Sequence, residues 1–70
     1  MILKRSINYF QREGLSIKQI KLIFPEERSL RTFYRWRKGN YSIDGREISR
    51  MENQMQKLVE EYKELKNKIF

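Results

Sequence analysis

The sequence has no cysteine, no histidine and no alanine, and only one proline and three glycines among its 70 residues. Without cysteine no disulfide can staple the fold, and without cysteine or histidine a structural zinc site lacks its ordinary ligands. A chain this short leaves much of its apolar area uncovered, so stabilisation falls to well-packed helices, to self-association, or to both. Long apolar runs are missing as well. No stretch approaches the roughly 18 apolar residues of a membrane span, and the opening MILKRSINYF carries charge where a signal peptide would carry its apolar core. The expectation is a soluble cytoplasmic protein with no membrane partner.

Acids are scarce in one part of the chain. Residues 1–43 hold ten Lys/Arg against Glu13, Glu26 and Glu27, whereas residues 44–70 balance six cations with six acids. The whole net charge of +7 therefore lies on the first part, as expected if that part meets a polyanion and the remainder has another task. Catalytic furniture is also wanting: there is no metal-ligand cluster, no Gly-rich phosphate loop and no nucleophile with an evident base. Neither an enzyme nor a cofactor is expected.

The elements read as helices. Leu3, Ile7 and Phe10 recur at helical spacing over 3–13, and Gly14 follows as a left-handed terminator. Ser16 stands three residues before Gln19, a capping-box pattern that opens a second helix over about 17–24, which Pro25 stops. PEERS reads as a turn, with Ser29 capping a third helix from Leu30 to the GNYS segment. YSIDGREI allows two readings: an Asp-Gly hairpin, or a helix start with Asp44 as cap and Glu47 as its box partner. The second is favoured, because a long helical pattern follows at once.

That pattern is a heptad. Ile48, Met51, Met55, Leu58, Tyr62, Leu65 and Ile69 alternate at spacings of three and four, the a/d seam of a coiled coil, with Val59 widening the stripe. A homodimer through this helix is expected, the alternative being a helix folded back on its own head. The flanks favour an antiparallel pair, in which Glu47 meets Lys68 and Glu52 meets Lys66, whereas a parallel pair sets Glu47 against Glu52. Two units follow: a basic head, 1–43, and an oligomerisation helix, 44–70.

The stretch RSLRTFYRWRKGN, residues 28–40, holds five cations, three aromatic rings and no acid. Within it SLRTFYRWRKG, 29–39, resembles the Ser-x-x-Thr-apolar-Tyr-Arg-Trp recognition helix of helix-turn-helix proteins, a superfamily that includes small regulators, recombinase and transposase DNA-binding domains and phage terminase small subunits. LSIKQIKLIF resembles the positioning helix before it, and PEER is about two residues longer than the family's usual turn. The resemblance covers 15–39 and implies an all-α, three-helix helix-turn-helix head that binds double-stranded DNA. Phe33 and Trp36 match the family's buried positions. The remaining face, Ser29, Leu30, Arg31, Tyr34, Arg35 and Lys38 with Arg28 and Arg37 at its edges, is the candidate DNA-binding surface. Arg31 and Arg35 have the chemistry to fork onto guanine, while Ser29, Thr32, Tyr34 and Lys38 suit phosphates. Lys18 and Lys21 on the second helix, and Lys4, Arg5 and Arg12 on the first, are candidate backbone clamps. The expected function is a homodimeric transcriptional regulator; the alternatives are a DNA-recognition subunit of a viral packaging complex and an RNA-binding helical protein.

Overall fold

The computed structural model describes residues 2–41 and 45–69, all of whose regular elements are helices: α1 (Ile2–Arg12), α2 (Ile17–Ile23), α3 (Leu30–Lys38) and α4 (Gly45–Ile69). No strand occurs among the described residues. Asp44, the expected cap of the last helix and part of the alternative hairpin, lies outside them.

Local chemistry accounts for each boundary. α1 ends where Gly14 turns left-handed at φ 97°; the Gly14 N–H then reaches Gln11 O at 3.0 Å and the Leu15 N–H reaches Phe10 O at 3.0 Å. This paired closure satisfies carbonyls the helix would otherwise strand. Ser16 caps α2 reciprocally: its hydroxyl accepts from the Gln19 amide at 3.2 Å, and its own amide donates to Gln19 Oε1 at 2.8 Å. Phe24 follows in extended conformation, ψ 136°, as a residue before proline must, because the ring of Pro25 clashes with a helical predecessor.

One core serves all four helices. Leu3, Ile7 and Phe10 of α1 meet Ile17 and Ile20 of α2, Phe24 beyond it, Phe33 and Trp36 of α3, and Met51 and Met55 of α4. α1 is the hub, packing against α2, α3 and α4, while α3 also packs on α2. Two aromatic groups stiffen this core by edge-to-face contacts, a geometry worth about 0.5–1.5 kcal/mol per pair. Phe24, Phe33 and Trp36 have centroids 5.1–5.8 Å apart; Tyr9, Phe10 and Tyr62 join α1 to α4 at 5.5–6.2 Å.

Within the single chain, part of the heptad stripe is covered by the head, as in the folded-back alternative. Met51 and Met55 are 0% exposed within the single chain, and Leu58, Val59 and Tyr62 are half-buried against the same core. Two of the flanking charges assigned to an antiparallel coil are engaged internally as well: Glu47 pairs with Arg28, and Lys66 with Glu13. The physical reason is that α1's apolar face, Leu3, Ile7 and Phe10, needs cover that α2 and α3 alone do not supply. Ile48 is half-buried, and Leu65, 57% exposed, is the stripe residue left to solvent among those whose side chains are described. The core draws on residues from both sides of position 43/44. α4, at 25 residues and about 1.5 Å per residue, sets the 38 Å long axis of a molecule 21 and 20 Å across.

Candidate nucleic-acid interface

α3 is held at both ends and along its back. At its start the Ser29 hydroxyl accepts from the Thr32 amide at 3.3 Å and meets the Thr32 hydroxyl at 3.0 Å, so two of the four groups expected to reach phosphate take part in the N-cap. At its end Gly39 is left-handed, φ 84°, and the Gly39 and Asn40 amides donate to Trp36 O and Arg35 O at 3.0 and 2.9 Å. Behind it Phe33 and Trp36 are buried, as the sequence pattern requires of them, with Leu30 half-buried at the edge. Leu30 packs in part against the core.

The outward side is basic. Arg31, Tyr34, Arg35 and Lys38 are exposed, Tyr34 at 39%. Arg37, half-buried, sets its guanidinium 5.0 Å from the Tyr34 ring centroid, a cation–π contact that orients both side chains at small energetic gain. Lys18 is exposed on α2, whereas Lys21 is half-buried. Beside Lys18, one turn on, Leu22 is 79% exposed, an apolar side chain that the packing of the chain does not use.

α1 joins this surface at its N-terminus. The Lys4 side chain lies beside Gly39, its Cδ 3.6 Å from where a Cβ there would stand, and the Lys4 amide donates to the Tyr41 hydroxyl at 3.1 Å. Tyr41 thereby caps α1 from beyond α3 and sets Lys4 next to the end of α3. Its hydroxyl is pushed above the ordinary phenolic pKa, first by burial, with the Lys4 amide opposing and Glu52 adding to the rise. Nothing local in the sequence signals this contact, because its partners lie 37 residues apart. Lys4, Arg5 and Arg12 are exposed.

Arg28 is placed differently from the other candidates. Its guanidinium lies 2.7 Å from Glu47 Oε1 and 3.6 Å from Glu26 Oε1, and Glu26 is in turn 3.1 Å from the Arg50 guanidinium. Four alternating charges thus link the connector between α2 and α3 to the first turns of α4. Next to this network, an open groove of about 320 Å³ runs between the end of α2 and α4, lined by Ile23, Pro25, Gln54, Lys57, Leu58 and Glu61. No group of three or more His, Cys, Asp or Glu side chains able to hold a metal occurs among the described residues, and no helix is long and apolar enough to cross a membrane.

No known family profile, curated protein or solved structure matches the chain.

Proposed function

We propose that the protein is a small helix-turn-helix protein that binds double-stranded DNA, with α3 as its reader helix, and that it acts as a homodimeric transcriptional regulator. The observation that carries this reading is the character of α3: a nine-residue helix, fixed by caps at both ends and by aromatic packing behind, whose open side offers Arg31, Tyr34, Arg35 and Lys38 without an acid among them. Such a helix, about 10–12 Å across with its side chains, fits a major groove about 12 Å wide. Arg31 and Arg35 are the base-reading groups in this account, and Lys38, Lys18 and Lys4 the phosphate contacts. A reader helix that wandered on its domain could not hold a two-pronged bond to guanine, so rigid seating has a direct functional use. The second copy docks on the side of α4 that the head leaves open, around Leu65, since Met51 and Met55 are already covered.

Titrating a labelled random-sequence duplex at several salt concentrations tests the reading, with solution mass measured alongside. If these three lysines neutralise phosphates, log K falls with log salt at a slope of about −3. On a duplex selected for tight binding, Arg35→Gln costs about 1–3 kcal/mol, while Lys38→Gln weakens all duplexes alike and lowers the slope by about 1. Binding that ignores salt, or preference for single-stranded RNA over the duplex, overturns the proposal. A ring of many copies in place of a dimer transfers it to DNA packaging.

A further inference from the structure

The four charges between the α2–α3 connector and α4 have a use beyond surface solubility. We infer that Arg28 serves DNA recognition as a positioning residue: together with Glu26, Glu47 and Arg50 it fixes the start of α3 against α4, and it does not itself neutralise phosphate. This rests on the reading of α3 as the DNA-reading helix.

Three observations carry it. Arg28 immediately precedes Ser29, the N-cap of α3, so a guanidinium held 2.7 Å from Glu47 also holds the residue from which α3 starts. The network alternates in sign, Glu47 to Arg28 to Glu26 to Arg50, with each link at 3.6 Å or less; withdrawing Arg28 to a phosphate would break two of these pairs at once. Finally, α4 packs along α1, and α3 packs along α1 and α2, so the network is a direct tie between the start of α3 and the long helix. The connector after Pro25 uses its length for this purpose, carrying both Glu26 and Arg28 toward Glu47 and Arg50. Both arginines are five-donor forks suited to bridging two carboxylates.

The experiment compares wild type, Arg28→Glu and the charge-swapped pair Arg28→Glu with Glu47→Arg, which preserves the net charge of the wild type. Amide exchange across α3 and duplex affinity against salt are measured on each. Positioning predicts that Arg28→Glu speeds exchange of the Thr32 and Phe33 amides and lowers duplex affinity about fivefold, the combined scale of the two partly exposed ion pairs that Arg28 makes. The swap restores both, with the wild-type salt slope. Should the swap restore the amides but leave the slope lower by about 1, the loss expected for one phosphate contact, Arg28 touches phosphate and the inference is wrong. Unchanged Thr32 and Phe33 amides in Arg28→Glu sink it whatever the DNA result. Glu47→Gln, which removes the same pair without placing an acid at 28, guards against misfolding and is expected to loosen the same two amides. A wild-type chain that ignores duplex DNA defeats the proposed function and the recognition role together; the amide measurement then still decides whether the network seats α3.

Discussion

Tyr41 shows how one hydroxyl can hold two helices in relation. The first turn of α1 has amides with no partner inside the helix, and the Tyr41 oxygen accepts one of them from Lys4. Tyr41→Phe keeps the ring and removes the acceptor, so it is expected to cost about 1 kcal/mol, seen as a fall in melting temperature of about 4–8 °C. Its titration adds a pH dependence of definite sign. The phenol is raised above its ordinary 10.0, so its contribution is complete below that value and is lost as pH climbs through the folded value. Lys66 behaves in the same direction, raised above 10.5 chiefly by its hydrogen bond to Glu13. Melting temperature should therefore hold level through pH 9 and decline beyond 10, with a shallower decline in Tyr41→Phe. A decline that starts near neutrality would assign the titration to other groups.

At the level of the helix, sequence and structure agree closely wherever the determinants are local. α1 occupies 2–12 against an expected 3–13, α2 ends one residue early, and α3 starts at Leu30 as its serine cap requires. Glycine, serine and proline placed these ends, because each acts on its own backbone and its immediate neighbours. Two kinds of information were not legible. The heptad spacing identifies the apolar side of α4 but carries nothing about what covers it; within the single chain the head covers Met51 and Met55 and leaves Leu65 open. Likewise the charge of Arg28 was plain, but its partner Glu47 lies 19 positions away and shares no pattern with it. The glycines offer a test of the local rules. Gly39, left-handed with only an ordinary contact to Lys4, should lose about 1–2 kcal/mol on change to alanine through backbone strain alone. Gly45, at the start of α4 with nothing near its missing Cβ, should gain about 0.4–1 kcal/mol from the same change. Urea unfolding of the two variants measures the contrast, and equal effects would contradict it.

For the molecule as a whole, the decisive residues are Met51 and Met55. Each is fully enclosed among side chains of the head, so α4 is a structural member of the domain as well as any partner surface. Met55→Ala should cost about 2–5 kcal/mol, comparable with the 3–5 kcal/mol that a core of this size rarely exceeds. Circular dichroism at 25 °C should then show a largely unfolded chain. A variant that stays helical and cooperative would mean that the Met55 side chain contributes less to the core than its burial implies.

The pairing of α1 with α4 also bears on the order of events in biosynthesis. α1 leaves the ribosome ahead of α2, α3 and α4 and presents Leu3, Ile7 and Phe10 to water, and the methionines that enclose them arrive roughly fifty residues later. Closing that long loop is an entropic cost borne before any reward from packing, so the basic segment containing α3 is fully synthesised while its scaffold is still open. The nascent chain thus acquires its charge before the last side of its core is closed.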